Sequence, residues 1–481
     1  MNIATKYISA ELRQALRAVS NATDTQVYLS GGVIRDWALG VASVDLDFTV
    51  STRGVDFGKR LATDLQATFV LLSEAEGICR VVWNGLDLDI STFRKNTNRI
   101  EDDLCQRDFT INALAIEITA DEAWSSGVSA IIDPLGGMDD LKNGIIKCCN
   151  DECLNDDPLR MLRTFRLMAQ LGFDIDPHTT QLITKFKQGL DRVAGERIWS
   201  ELKKTIQHKK SWKSFKAMDS CGLLAQVLPE LETGRGVTQP SSHHLDVYDH
   251  CLETVKQIES IIDSPGQWFS DTEELMQAYC DKQENVLMLK IAALLHDIGK
   301  PPARGIKDTG QITFYNHDGH GELLVGNIAK RLRWSSAELN FISRLVKLHM
   351  WPFHLVNARK KNGITPRACL KIAKASGDDL AGLFLLAMAD SLAGQGEGKP
   401  AGMEKEISLL FSEVYRTFLL RVKPVLGALP VNGHDLIEYL QLEPGPVFSE
   451  IFSELEKEMV LTGIMDKKQA LEWVKCFCEK N

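Results

Sequence analysis

Two aspartates, Asp45 and Asp47, alternate along one predicted strand and are the residues best suited to chemistry in this chain. Side chains two apart on a strand point to the same face, so these carboxylates lie side by side. They repel each other unless a cation lies between them. Mg²⁺ fits, because it prefers oxygen ligands and leaves coordination positions for substrate phosphates. The pair therefore predicts a divalent-metal site.

The residues just before this pair are suited to holding a phosphate. The stretch 29–50, LSGGVIRDWALGVASVDLDFTV, is typical of a strand, a Gly-Gly turn, a short helix and a second strand. Gly31 and Gly32 leave backbone N–H groups open to a phosphate, and Arg35 adds a forked donor one turn later. Each feature alone is often only a turn or a solvated strand edge. Their order and spacing, together with the aspartate pair, favour a site for metal-assisted nucleotidyl transfer.

Length and composition limit the possible classes of protein. A chain of 481 residues exceeds one hydrophobic core, and 44% hydrophobic with 25% charged residues is typical of a globular protein. The sequence contains no apolar run long enough to span a bilayer, and its first residues lack the apolar core of a signal peptide, so we expect no membrane contact and a cytoplasmic location. Eleven scattered cysteines favour reduced thiols.

The stretch 29–50 resembles the signature of polymerase-beta-like nucleotidyltransferases, in the branch of bacterial transfer-RNA nucleotidyltransferases (CCA-adding enzymes) and poly(A) polymerases. Two-metal transfer needs a third carboxylate. The family places an acid just before a TTFR-like run, which here is DISTFR, so the resemblance implies Asp89 as the third acid that helps activate the attacking 3′ hydroxyl. Asp87, one alternation away, is the fallback.

A second motif, in DDLCQRDFTINALAI at 102–116, resembles the family's RRDFTINA run, which opens a helix. The resemblance implies that helix-start N–H groups and Arg107 hold the triphosphate, while Asp108 and Asn112 fix the turn and the sugar. Gln106 stands where the family usually has an arginine, which removes one phosphate contact.

A third motif resembles the EDxxR run of the family's neck and lies at 156–160, with Asp156 in place of the usual glutamate. The resemblance implies that Asp157 and Arg160, with Arg163 one turn later, choose the incoming base. A carboxylate accepts from an exocyclic amine and a guanidinium donates to ring nitrogen and carbonyl groups, which suits C and A. Without the resemblance, arginines spaced by three would be read as salt-bridge partners.

A basic run at 197–216 stands out against the net charge of -10. Six lysines and one arginine there outnumber a single glutamate, with Trp199, Trp212 and Phe215 between them. Such a run is usually a solvated helix face, but here it is also the best candidate for contact with an RNA backbone.

A separate group of histidines and aspartates follows after residue 239. Two imidazoles and two carboxylates complete a divalent-metal shell, and His250, His296, Asp297 and Asp390 supply one. This set resembles an HD phosphohydrolase domain, with Ni²⁺ or Mn²⁺ as the expected metal. NHDGHG offers His317 and His320, and we expect His320 with His349 to hold a second metal. A degenerate domain kept for helical packing is the alternative.

The predicted fold class is α+β, with a small mixed-sheet head followed by an all-α neck, HD body and tail. The expected divisions are 1–147 for the head, 148–238 for the base-selecting neck, 239–397 for the HD domain and 398–481 for a tRNA-contacting tail. His434 and Asp435 in the tail form another His-Asp pair, which we expect only to cap a helix.

The resemblance implies template-independent addition of C and A to the 3′ end of tRNA from CTP and ATP. The segment between Arg94 and Glu101 is short, as in family members that add only the two cytidines, so a CC-adding enzyme is an alternative. A poly(A) polymerase is another, and a non-enzymatic RNA- or nucleotide-binding regulator is the alternative from a different class. The sequence does not fix the oligomeric state.

Overall fold

The computed structural model describes residues 8–42, 45–118, 131–425 and 429–480. Residues 43 and 44 of the signature stretch lie outside this set. The chain divides into two compact units, the first made of 1–208 with 217–227 and the second of 209–216 with 228–481. The finer four-part division expected from the sequence stays a prediction.

A mixed seven-stranded sheet forms the centre of the first unit, in the order β3-β4-β5-β2-β1-β6-β7. Only β2 and β5 pair in parallel; the other neighbours are antiparallel. The strands are β1 Val27–Ser30, β2 Asp45–Val50, β3 Thr68–Ser73, β4 Ile78–Trp83, β5 Leu86–Thr92, β6 Ala115–Glu117 and β7 Ile131–Ile132, and a separate pair joins β8 Ile145–Ile146 to β9 Asp174–Ile175.

Helices cover this sheet and continue beyond it. Apolar side chains from α1, α2 and α3 pack with alternate residues of the strands, including Leu16, Phe48 and Phe57, into one core. The helices are α1 Ala10–Thr23, α2 Gly32–Ala38, α3 Gly54–Asp64, α4 Ile100–Leu104, α5 Gly137–Asn143, α6 Cys153–Asp156, α7 Leu159–Leu171, α8 Pro177–Phe186, α9 Gly195–Ile206, α10 Ser211–Ser220 and α11 Leu223–Val227.

Strands β4 and β5 form a hairpin. Asn84 and Gly85 both have positive φ, 48° and 77°, as the two-residue turn between twisted strands requires. The helix predicted to open at the RDFTINA run is wrong, because α4 ends at Leu104 and Thr110–Asn112 is a single 3₁₀ turn. The chain then enters β6, whose pairing with β1 prevents a helix there.

The second unit consists of helices and one short hairpin among its described residues. Its elements are α12 Pro229–Glu232, α13 Val247–Asp263, α14 Glu273–Cys280, α15 Gln283–Leu295, β10 Arg304–Ile306, β11 Ile312–Phe314, α16 His317–Leu332, α17 Ser336–Leu348, α18 Trp351–Asn362, α19 Pro366–Ser376, α20 Leu380–Ala393, α21 Met403–Thr417, α22 Gly433–Leu440, α23 Pro446–Thr462 and α24 Lys467–Lys480. Helix α20 is apolar on almost every side and is buried at thirteen of its fourteen positions, which is expected of a helix at the centre of a bundle.

These observations confirm the predicted α+β class, with a mixed-sheet head and helical regions after it. The helix-capping interpretation of Asp435 is also confirmed, since its side chain accepts from the Asn432 N–H and forms a capping box at the start of α22. No helix among the described residues is long and apolar enough to cross a membrane.

Candidate active site

The three aspartates predicted to bind metal lie on one face of two adjacent strands. The register of β2 and β5 sets Asp45 beside Asp87 and Asp47 beside Asp89. Because alternate residues of a strand share a face, all four carboxylates lie on the same side of the sheet. Asp45, Asp47 and Asp89 line a cleft of about 490 Å³, whereas Asp87 does not. The structure therefore brings together the three aspartates predicted for the site, whereas Asp87, the alternative to Asp89, does not line the cleft.

The surroundings of Asp47 favour a bound cation. Burial raises the pKa of Asp47 to about 6, and the neighbouring carboxylates of Asp89 and Asp45 add to the rise, while Arg107 opposes it. A cation at this carboxylate would relieve both the repulsion and the cost of burying the charge. This donor set fits the Mg²⁺ that the sequence predicts.

Gly31 contributes to the site through its small size. Its φ is +90°, and a Cβ at this position would lie 2.9 Å from Arg107 Nη1 and 3.1 Å from Asp47 Oδ2. The Gly31 N–H donates to the Leu114 carbonyl at 3.1 Å, so it is not the open phosphate donor that the sequence predicts. Glycine here lets the guanidinium and the carboxylate approach each other. Gly32 begins α2 and also lines the cleft.

Arg80 on β4 is a site residue that sequence reasoning missed. It lies opposite Asp89 in the β4–β5 register. Its Nε and Nη2 donate to the two Asp89 oxygens at 2.7 and 2.8 Å, and its Nη1 donates to Asp87 Oδ2 at 2.6 Å. A forked pair of this kind fixes the orientation of the carboxylate as well as neutralising it. The only available signal was the alternation of Arg80 on the strand before Asp89.

Two of the predicted phosphate-binding arginines are held rigidly at the cleft. Arg107 Nη2 donates to the hydroxyls of Ser30 and Thr49 at 2.6 and 2.8 Å, and burial lowers the pKa of Arg107 to about 10. Arg35 Nη1 donates to Asn112 Oδ1 at 2.6 Å. Both side chains line the cleft, so each is a preorganised positive group on its wall.

The same network continues into helix α7. Asn112 Nδ2 donates to Asp108 Oδ1 at 3.0 Å, and Arg163 Nη2 lies 2.6 Å from Asp108 Oδ2. Burial alone would raise the pKa of Asp108, but Arg163 and the Asn112 hydrogen bond hold it well below its ordinary value. The chain of contacts from Arg35 to Arg163 connects α2 to the predicted base-selecting helix, and Asp108 is its buried centre.

Helix α7 turns its arginines toward the cleft. Arg160, Arg163 and Arg166 line it together with Asp157, while Leu162 is buried on the other side, as the helical spacing predicts. Arg160 Nη1 donates to three backbone carbonyls at 3.2 to 3.4 Å, which fixes where its guanidinium lies. Arg166, which we did not predict as a site residue, is paired with Glu201 at 3.1 Å.

All twelve residues predicted for the nucleotidyl-transfer site line this single cleft. They are Gly31, Gly32, Arg35, Asp45, Asp47, Asp89, Arg107, Asp108, Asn112, Asp157, Arg160 and Arg163. One part of the cleft wall is therefore acidic, and six arginines surround the rest. Such an arrangement can accept a triphosphate together with its divalent cation.

The second unit holds a separate buried cluster of metal-ligating atoms. His250 Nε2 lies 3.0 Å from Asp390 Oδ1 and 3.6 Å from Asp297 Oδ2, and His296 Nε2 lies 3.2 Å from Asp297 Oδ2. The structure thus brings together the four predicted HD residues. His243, which we missed, can join His250 and Asp390 in a three-ligand group.

Asp297 also faces a second group of histidines. Its Oδ1 lies 3.6 Å from His317 Nε2 and 3.5 Å from His349 Nε2. Both rings have Nδ1 against a backbone carbonyl, at 2.8 Å from Phe314 and 2.7 Å from Val346, so Nδ1 carries the proton in each neutral ring. The two Nε2 lone pairs then face each other at 3.1 Å, a repulsive contact that a bound cation would resolve. Asp297 belongs to both groups, and these residues would fit divalent metal ions.

Among the described residues the structure groups His317, rather than the predicted His320, with Asp297 and His349. His317 is the first residue of α16, and its ring is anchored to Phe314, whereas His320 lies one turn further along and is half-buried. Gly299 allows this approach, since a Cβ there would lie 2.0 Å from the His317 carbonyl.

The basic run 197–216 contains fewer stacking surfaces than predicted. Trp199 and Phe215 are core residues, 4% and 1% exposed. Trp212 is only half-buried and has the Nζ atoms of Lys213, Lys216 and Lys256 within 5.3 to 5.9 Å of its ring centroid. One aromatic residue of the three is therefore available beside the lysines.

Comparison with known proteins agrees with this geometry. Residues 27–147 match the family described as poly A polymerase head domain, and residues 247–375 match the HD domain family. The A-adding tRNA nucleotidyltransferase of Deinococcus radiodurans is 29% identical over 469 residues, which is 94% of this chain and 95% of that one. A multifunctional CCA protein of Ralstonia nicotianae is 30% identical, over 64% of this chain and 68% of its own length.

Solved structures show the same fold. The Thermotoga maritima CCA-adding enzyme complexed with tRNA has a TM-score of 0.62 at 20% identity and covers 99% of this chain and 98% of its own. A complex of a CCA-adding enzyme with CTP has a TM-score of 0.64 at 20% identity, over 99% and 98%. The fold and the cleft define a nucleotidyltransferase with a poly(A)-polymerase-type head. The chain belongs to the tRNA nucleotidyltransferase family that includes the multifunctional CCA proteins.

Proposed function

We propose that this protein adds C and A to the 3′ end of tRNA without a nucleic acid template, using CTP and ATP. One observation carries the proposal: three aspartates of the sheet line the same cleft as the arginines of α7 and as Asp157, which lies just before that helix. The relative named as A-adding tRNA nucleotidyltransferase supports addition of A to tRNA, and the relative named as multifunctional CCA protein supports formation of the whole CCA end.

In this proposal the acids and the arginines have separate roles. Asp45 and Asp47 hold Mg²⁺, and Asp89 lies beside them where the attacking 3′ hydroxyl must approach. Bound Mg²⁺ supplies charge neutralisation and lowers the pKa of that hydroxyl. Arg35 and Arg107 are already ordered by hydrogen bonds, so they stabilise the triphosphate charge with little reorganisation.

Base choice is assigned to Asp157 and Arg160. A carboxylate at 157 accepts from the exocyclic amine that C and A share, and the guanidinium at 160 donates to ring acceptors. The three carbonyls that bind Arg160 Nη1 leave its other N–H groups to reach the cleft in a fixed direction. Protein groups, rather than a template strand, then discriminate against U and G.

Three tRNA acceptors test the proposal and decide which nucleotides are added. Transcripts that end before CCA, after C and after CC are incubated separately with labelled CTP or ATP. Full activity predicts C on the first two and A on the third. Addition limited to C would support the CC-adding alternative based on the short segment 95–100, in which Lys95 pairs with Asp156 at 2.7 Å. Long A tails would identify a poly(A) polymerase, and no incorporation on any acceptor would contradict the proposal.

A second function, metal-dependent phosphoester hydrolysis, is favoured by the Asp297-bridged cluster. The cluster opens to a cleft of about 530 Å³ that Lys300 and Lys399 line together with His317 and Asp390. Lys300 pairs with Asp297 and Lys399 with Glu404, and the histidines are suited to Ni²⁺ or Mn²⁺. By this account the domain removes terminal or 2′,3′-cyclic phosphates from RNA ends and exposes a 3′ hydroxyl for extension.

Release of phosphate from a chromogenic phosphate ester in Mn²⁺ or Ni²⁺ tests this second function. His296→Ala should abolish it, because His296 faces the bridging carboxylate, while His320→Ala serves as the matched control that keeps activity. Equal rates for wild type and His296→Ala would contradict the assignment.

A tRNA substrate together with eleven unpaired thiols supports a cytoplasmic location.

A further inference from the structure

A surface of positive charge lies on α18 and α19. Between Glu338 and Asp378 the chain contains eight lysines and arginines and no acidic residue. The protein as a whole carries a net charge of -10, so the charge of this stretch is opposite in sign to that of the whole chain. It differs from the run at 197–216, which includes a glutamate.

Half of these cations are already neutralised. Arg344 pairs with Asp379, Lys347 with Glu322, Lys374 with Glu456, and Arg359 with two glutamates of α21. These pairs join helices of the second unit and have a structural role. The other four cations have no carboxylate within ion-pair distance among the residues that the structure describes, and all four are exposed: Lys360, Lys361, Arg367 and Lys371.

The four side chains belong to one short stretch of surface, which we name the α18–α19 cation surface. Lys360 and Lys361 occupy the last turn of α18, and Arg367 and Lys371 lie one turn apart on the same side of α19. Lys371 Nζ lies 5.0 Å above the ring centroid of Trp351, the first residue of α18, so the start and the end of that helix both border the surface. The N-terminal end of α19 adds partial positive charge, while the C-terminal end of α18 carries partial negative charge beside Lys360 and Lys361.

Four exposed cations without carboxylate partners cost the folded protein some self-repulsion, which a polyanion would relieve. Phosphates of an RNA backbone fit because they are spaced along a chain and need no buried pocket. We propose that the α18–α19 cation surface binds the phosphate backbone of the tRNA substrate. The proposal rests on the tRNA function proposed above and adds the part of the body that holds the RNA.

The test compares two variants with the same loss of charge. In the first, Lys360, Lys361, Arg367 and Lys371 are all changed to Gln. In the second, four exposed cations scattered over the protein are changed to Gln, namely Lys142, Lys282, Lys330 and Arg333. Affinity for full-length tRNA is measured at several salt concentrations, together with KM for tRNA and KM for CTP. Circular dichroism verifies that both variants are folded.

The surface variant should bind tRNA at least tenfold more weakly than the scattered control at physiological salt. The plot of log affinity against log salt concentration should become shallower, its slope decreasing in magnitude by about three to four, because each lost phosphate contact removes roughly 0.9. KM for tRNA should rise and KM for CTP should stay unchanged. Equal affinity and equal slope in the two variants would overturn the proposal. Failure of the proposed function is a separate result, since wild type would then join no nucleotide to any tRNA acceptor.

Discussion

Replacing Asp47 by Asn should stabilise the metal-free protein while abolishing nucleotide incorporation. The pKa of Asp47 rises from 3.8 to about 6, mainly through burial. A folded-state pKa above the unfolded value means that the ionised group costs stability: the cost is absent below the unfolded pKa and is complete above about pH 6. At about 1.4 kcal/mol for each pKa unit this amounts to roughly 3 kcal/mol, or about 2 kcal/mol after allowing for partial solvent access.

Thermal unfolding in EDTA provides the assay. At about pH 8 the first unfolding transition of Asp47→Asn should occur roughly 4–8 °C above that of wild type, and at about pH 4 the two should coincide. Millimolar Mg²⁺ should raise the transition of wild type but not of the variant, because only the carboxylate gains from the cation. Asp45→Asn, at an exposed position of the same strand, should change the metal-free transition much less. A variant that is no more stable than wild type at high pH would refute this reasoning.

Three further predictions concern other contacts of the two sites. Arg80→Lys keeps the charge but loses the fork on Asp89, so kcat should fall about 10- to 100-fold while Mn²⁺ affinity, measured by electron paramagnetic resonance, stays within about threefold; an unchanged kcat would exclude a positioning role. Arg160→Ala should relax selection against UTP and GTP by about 1–3 kcal/mol in relative kcat/KM, and intact selection would contradict its role in base choice. In protein loaded with Ni²⁺, His317→Ala should lower the Ni²⁺ content from two ions to one while His320→Ala leaves it unchanged, as measured by inductively coupled plasma mass spectrometry; equal contents would place the second ion elsewhere.

Local sequence patterns predicted the acidic part of the cleft well. Alternation along a strand is enough to place Asp45 and Asp47 on one face, and a two-residue Asn84-Gly85 turn is enough to return the chain as a hairpin. The position of Asp89 beside Asp47 depended on the family resemblance, since the parallel pairing of β2 with β5 joins segments that are far apart in sequence.

The errors arose where tertiary contacts outweigh local pattern. The turn at Thr110–Asn112 is followed directly by β6, which pairs with β1, so no helix begins there. The sequence offers no feature that distinguishes His317 from His320 as a metal ligand. In the structure, the hydrogen bond between His317 and the Phe314 carbonyl makes the difference. Arg80 had no motif to mark it, because its importance comes from the strand beside it.

Incorporation of labelled CTP into a tRNA transcript that lacks its CCA end tests the central claim most directly, with Asp89→Asn and Asp87→Asn compared against wild type in Mg²⁺. Both residues lie on β5 and both contact Arg80, but only Asp89 lines the cleft. The account predicts rapid incorporation by wild type, a loss of at least a hundredfold in Asp89→Asn and a rate within a few-fold of wild type in Asp87→Asn. Equal rates in the two variants, or a larger loss in Asp87→Asn, would contradict the assignment of the cleft as the site of nucleotidyl transfer.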